Sequence, residues 1–177
     1  MIRTATETDI PRIAEIHADA WVEAYSNIVS PEIMAGITVE ARTETWKQWF
    51  QTTEQDLHVL ERNNIIAGFN RVAPPHESSS ELTTYRELTH IYQDPTLIGS
   101  GIGHELFEHA IQFMERLGSA GMFLWTLEKN LRAREFYERH GMFVDGPRKD
   151  EPEWLGKGVY EVRYILPFGP REDLEGP

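Results

Sequence analysis

The chain alternates short runs rich in β-branched and aromatic residues with longer stretches whose apolar positions recur every three or four residues. The first pattern fits half-buried strands, the second amphipathic helices. Residues 2–5 read as a short strand. Thr8 or Asp9 then offers a helix cap, Pro11 sits in the first turn, and Ile10, Ile13, Ala14, Ala20, Trp21 and Ala24 follow at helical spacing. Ser30 before Pro31 starts a second, short helix, and a third runs from about 39 to 51. Strands at 57–61 and 65–72 flank Arg62, Asn63 and Asn64, a polar turn suited to a hairpin. The loop 74–80 is Pro-Pro-His-Glu-Ser-Ser-Ser, and 87–93 is a long strand ended by Asp94 and Pro95. Ile102, Leu106, Ala110, Phe113, Met114 and Leu117 mark an amphipathic helix stopped by Gly118. A strand at 122–127, a helix at 131–140 ending at Gly141, and strands at 142–144 and 159–166 complete the pattern. It predicts one α/β (α+β) domain over residues 1–167, with 168–177 as an acidic tail.

Composition removes several function classes. With 17 basic and 29 acidic residues the net charge is −12, which argues against a nucleic-acid or anionic-membrane partner. No cysteine is present, so disulfides, thiol nucleophiles and thiolate metal sites are excluded. No apolar run approaches the ~18 residues of a membrane span, and Met1 leads into Ile-Arg-Thr-Ala without a signal-peptide pattern. The expectation is a cytoplasmic protein that acts on a small molecule or a peptide.

Chemistry concentrates in two segments. Gly99, Gly101 and Gly103 alternate with Ser100 and Ile102 between a strand and a helix. Glycines so placed let backbone N–H groups turn inward at a helix N-terminus, an arrangement suited to phosphate. The Walker pattern is absent, and the third glycine of a dinucleotide fingerprint falls on His104 or Leu106. The second segment runs Asn130-Leu131-Arg132-Ala133-Arg134-Glu135-Phe136-Tyr137-Glu138-Arg139-His140-Gly141-Met142. It resembles the Asn-x-x-Ala-x-x-Phe-Tyr-x-x-x-Gly-Phe segment of the GNAT N-acetyltransferase superfamily, with Met142 in place of the usual Phe. The glycine cluster resembles that family's pyrophosphate loop, and residues 87–95 look like its fourth strand and following turn. The likeness extends over nearly the whole chain to about Pro167.

The resemblance implies a mixed, mostly antiparallel sheet of six to seven strands with helices on both faces, and acetyl-CoA as co-substrate. Backbone groups of Ile91 and Gln93 would pair with the pantetheine amides, and Gly99, Ser100, Gly101, Ile102 and Gly103 would hold the pyrophosphate. Asn130 would hydrogen-bond the arm, with Ala133 and Phe136 beside it. The family usually has Arg or Gln where Ile98 stands, which implies weaker cofactor binding, partly offset by Lys129, Arg132 and Arg134.

Acetyl transfer to an amine moves two protons. An alkylammonium of pKa near 10.4 lies ~4.6 kcal/mol from deprotonation at pH 7, and the leaving thiolate gains from a donor. Tyr137 matches the family's tyrosine, usually assigned as that donor. Glu87, at the start of the fourth strand, reads equally as a base working through water and as a surface strand residue. Asp94 is a turn residue, and His90 is a packed strand histidine first and a proton relay second. Trp21 and Tyr25, four apart on one helix face, are the acceptor-wall candidates, while Trp46, Trp49 and Phe50 read as core. An aromatic wall in an acidic chain suits an organic cation, and peptide N-termini are equally admissible. His104 and His109 lack metal-pair spacing, His17, His58 and His76 show no partner pattern, and no metal site is expected. The reading is an N-acetyltransferase working by direct attack; the alternative is a non-catalytic acyl-CoA-binding sensor. A homodimer through the edge near 159–166 is the oligomer the family likeness suggests.

Overall fold

The computed structural model describes residues 1–51, 56–75, 82–146, 149–150, 155 and 158–169. Strand β1 (Ile2–Thr4) leads through a 3-10 turn at Glu7–Asp9 into α1 (Ile10–Tyr25). There Thr6 and Asp9 form a reciprocal capping box, and Arg3 reaches the Asp9 carboxylate at 2.7 Å, so the first strand and the helix entry are locked together. The short α2 (Pro31–Met34) and α3 (Val39–Phe50) follow, α3 capped by the Thr38 side chain. Next come β2 (Asp56–Arg62) and β3 (Ile65–Ala73), joined by Asn63 and Asn64. Both asparagines have positive φ, 52° and 62°, as a two-residue hairpin turn with the twist of its strands requires.

Strand β4 (Tyr85–Gln93), α4 (Ile102–Arg116), β5 (Gly121–Leu127), α5 (Leu131–Arg139), β6 (Phe143–Val144), β7 (Lys149–Asp150) and β8 (Tyr160–Pro167) complete the order. The sheet runs β1-β2-β3-β4-β5-β8-β6, with the two-residue β7 paired to β8 off that path. Every pairing is antiparallel except β4 with β5. The expected mixed, mostly antiparallel sheet is thus present, seven strands in line with a short eighth that the sequence pattern does not announce.

Helices cover both faces. On one, Ile10, Ile13 and Ile16 of α1 and Trp46 of α3 pack against Leu57, Val59 and Phe69. On the other, Phe107, Ala110 and Met114 of α4 and Tyr137 of α5 pack against Leu88, Met122 and Leu124. Strand β8 lies between β5 and β6, so the backbone edge near 159–166 is already paired and is not open for a second chain. The loop 76–80 and the tail beyond 169 lie outside the described residues. Among the described residues no helix is long and apolar enough to cross a membrane.

Candidate active site

The parallel β4–β5 pairing is short. It runs from Tyr85 opposite Gly121 to Glu87 opposite Phe123 and goes no further. Past that point β4 continues along β3 and β5 continues along β8, so their facing edges part. A bulge in the β3–β4 register, which leaves Thr89 without a partner between Leu88 and His90, falls at the start of the opening. A cavity of about 490 Å³ occupies it, walled by residues 88–93 of β4 and by Trp125 and Thr126 of β5. The Asp94 amide donates to Ala67 on β3. Amide directions alternate along an antiparallel strand, so the N–H groups of Ile91 and Gln93 point the other way, into the opening. These are the two backbone positions the sequence reading proposes for an extended amide-bearing arm.

At one end the cavity meets the loop before α4. Gly99 and Gly101 have φ of +85° and +88°, and a Cβ at either would touch nothing within 4 Å, so backbone conformation and not space demands glycine. Gly99, Gly101 and Gly103 line the cavity; Ser100 and Ile102 do not. The N–H and hydroxyl of Ser100 both bond the Leu97 carbonyl, at 3.1 and 2.6 Å, and the Ile102 side chain is buried under α4. The Gly103 amide donates to the Gln93 side-chain carbonyl at 2.8 Å, a cross-link between the end of β4 and the start of α4. Ile98 lines the cavity and is 45% exposed.

The basic residues expected to offset Ile98 are arranged otherwise. Arg132 lines the cavity but is ion-paired with Glu23 of α1. Arg134 is turned to the Tyr164 hydroxyl and the Glu128 carbonyl and lies outside the lining, as does Lys129. Arg139 and His104 line the cavity in their place. Metal-pair spacing, which His104 lacks, does not bear on anions.

Three tyrosines line the cavity, the buried Tyr25 and Tyr137 and the half-buried Tyr92. Tyr137, from α5, is raised above the ordinary phenol pKa by burial first and by Tyr25 second. Burial also raises Tyr92 and Tyr25. The Trp21 indole donates to the Tyr92 hydroxyl at 3.1 Å. Asn130 caps α5 by accepting from the Ala133 amide at 3.2 Å, and its side chain also hydrogen-bonds Tyr25. Asn130, Ala133 and Phe136 all line the cavity, as the segment's likeness implies. A phenol held neutral in this way donates a hydrogen bond and does not act as a base.

The face of β4 toward α1 and α3 carries an aromatic cluster. His17 is 2% exposed, accepts from the Trp46 indole at 3.0 Å through Nδ1, and packs at a tilt against Tyr92 with ring centres 4.8 Å apart. Burial drives its pKa well below the ordinary value, with His90 and Arg42 adding to the effect. His90 packs edge-on to His17 and against Trp46 and Trp49, and it lines the cavity. The Arg42 guanidinium lies over Trp21 at 4.9 Å and that of Arg71 over Trp49 at 5.2 Å. The Trp21 face expected to receive an organic cation is therefore already covered. Trp21 is outside the cavity lining and stands behind Tyr92, which its indole bonds, and Tyr25, whose ring centre is 4.8 Å away; Tyr25 lines the cavity directly.

Glu87 is half-buried where β4 still pairs with β5, beside Arg71 and outside the cavity lining. Asp94 serves the turn, accepting from the Thr96 amide and hydroxyl and pairing with Arg12. Among the described residues no cluster of three or more metal-ligating side chains occurs.

Residues 11–142 match the family model described as "Acetyltransferase (GNAT) family". A "probable N-acetyltransferase" of Mycobacterium tuberculosis is 26% identical over 167 residues, covering 93% of this chain and 92% of its own. The fold is shared with a ribosomal-protein-alanine N-acetyltransferase from Brucella melitensis at a TM-score of 0.73 and 18% identity, over 95% of this chain and 99% of that one. It is shared equally with the PaiA N-acetyltransferase of Thermoplasma acidophilum, solved in complex with coenzyme A, at 0.71 and 17%, over 95% and 98%.

Proposed function

Because the chain belongs to the GNAT acetyltransferase family, we propose that the β4–β5 opening takes acetyl-CoA and that its acetyl group passes directly to a primary amine, a small amine or a peptide N-terminus. The observation that carries this reading is the parting of the two strands after Glu87, with free amides at Ile91 and Gln93 on one wall and the glycine loop at the far end. Pantetheine carries amides that pair with an open strand edge, and pyrophosphate suits N–H groups at a helix start.

The acceptor nitrogen attacks the thioester carbonyl carbon, the C–S bond breaks, and the thiolate leaves as the nitrogen sheds its proton. With no cysteine in the chain, no thiol relay intervenes. Tyr137 supports the departing sulfur. A phenol of even unperturbed pKa near 10 lies ~2 kcal/mol uphill of a thiol near 8.5, and Tyr137 is pushed further. It therefore acts as a hydrogen-bond donor to the developing thiolate more than as a source of a fully transferred proton. The amine proton leaves to water, ordered by His90 at the wall or by Glu87 behind it. Thiol release from acetyl-CoA against a panel of amines tests the proposal: turnover on one class supports it, and binding without turnover on any acceptor points to a sensor.

A further inference from the structure

Arg42 has no assignment in the scheme above, and its surroundings are unusual for an arginine. Its Nε and Nη2 atoms are buried and have no hydrogen-bond partner. Burial lowers its pKa, and the one group that offsets this is the Tyr92 phenol rather than a carboxylate. Arg42 as a whole is half-buried, yet guanidinium nitrogens shielded from water without an acceptor are costly, and native arginines with such atoms are usually paired. Arg71, the neighbouring buried guanidinium, has Thr89 at 3.3 Å and the charge of Glu87. Arg42 has neither, in a chain with twelve more acidic than basic side chains.

The unpaired edge is chemically specific. Nε–H and Nη2–H form the planar fork that matches the two oxygens of a carboxylate. The fork stands near the Tyr92 phenol, Tyr92 being one of the residues of the cavity wall, and over Trp21, whose indole bonds the same Tyr92 hydroxyl. It is thus one side chain removed from the wall on the aromatic side of β4. We propose that Arg42 binds a carboxylate on the acceptor, so that the acceptor is a free amino acid rather than a polyamine or amino sugar. This rests on the acetyl-transfer reading and narrows it. The carboxylate enters as the guanidinium lifts from Trp21, a side-chain rotation of the kind binding sites commonly make. The amine of the same molecule then lies toward Tyr92 and the opening.

The test compares each standard L-amino acid with its C-terminal amide, which keeps the amine and removes the anion. Thiol release from acetyl-CoA gives kcat/KM, and calorimetry on the protein–CoA complex gives affinity independently of turnover. We expect at least one amino acid to exceed its amide by about tenfold or more in both readouts, because a fork left unpaired rejects the analogue. Arg42→Met should abolish that preference, and Arg42→Lys, which keeps charge but not the fork, should restore part of it. Melting temperature and acetyl-CoA affinity report whether each variant is folded. Equal use of acids and amides, or a preference that survives in Arg42→Met and Arg42→Lys, overturns the assignment. Acetylation of polyamines, amino sugars or peptides with no amino acid used or bound also overturns it, and leaves acetyl transfer standing. Failure to bind acetyl-CoA at all defeats both.

Discussion

His104 Nδ1 and His140 Nε2 stand 2.9 Å apart, and a third atom sets the direction of the bond. His140 Nδ1 is 2.7 Å from the Phe136 carbonyl, which can only accept, so the His140 hydrogen sits on Nδ1 and its Nε2 accepts from His104. The Nδ1–H of His104 is thereby committed to His140, and as an imidazolium His104 has one further donor, Nε2–H, for a phosphate oxygen at the cavity wall it shares with Ile98 and the glycine loop. His140→Ala and His104→Ala should each weaken coenzyme A binding about threefold or more by calorimetry. The double variant should add little to either single one, since both act through one contact. Unchanged affinity in His104→Ala would remove the cofactor role.

Ile98→Arg should tighten coenzyme A binding by on the order of 1 kcal/mol at low salt, because the position lines the cavity and is half in solvent, free to extend. An affinity equal to wild type would mean that the diphosphate lies away from this end of the loop.

Tyr137→Phe should lower kcat by ~100-fold and leave acetyl-CoA affinity nearly constant, since the phenol is buried at the cavity wall and matters most as charge develops on sulfur. A loss under threefold would assign the ring to packing alone.

Glu87 and His90 are separable by pH. If His90 orders the water that takes the amine proton, Glu87→Gln should follow the wild-type pH–rate profile, while His90→Gln loses rate near neutral pH and recovers as the amine arrives neutral. The reverse pattern would restore Glu87 as the base.

Stability should respond to acid through His17. Its folded pKa is depressed by burial, so the neutral ring contributes stability that is complete above the unfolded value near 6.5 and is lost as pH falls below it. His17→Gln keeps an acceptor for the Trp46 indole and removes the titration. Denaturation between pH 6.5 and 4.5 should show a slope shallower than wild type by up to about 1.4 kcal/mol per pH unit. Equal slopes would place the acid sensitivity elsewhere, with His58 and His109 next in line, both depressed by burial.

Much of this was legible in the chain. Periodicity placed α1 and α4 within a residue or two, because each has a long apolar stripe that must be buried; α3 and α5 fall as expected too, though each buries a single side chain, Trp46 and Tyr137. The Asn63-Asn64 turn declared its hairpin through residues that tolerate positive φ. The two-residue β7 carries no periodic signal and was invisible. At the site, motif order pointed to the glycine loop and α5, but side-chain bonds across the sequence were out of reach: nothing local marks Arg132 as held by Glu23 or Gln93 as the acceptor for Gly103. His17 and Arg42 did leave a trace. His17 falls four residues after Ile13 on the buried face of α1, and Arg42 four before Trp46 on α3, positions where a polar group must find a partner or await one.

Amide hydrogen exchange on β4, measured with and without saturating acetyl-CoA, tests the central claim that the parted strands are the cofactor site. The account predicts slowed exchange at Ile91 and Gln93, whose N–H groups face the opening, with little change at Tyr92 and Asp94, which already point to β3. Saturated binding with Ile91 and Gln93 exchanging as in the free protein would contradict it.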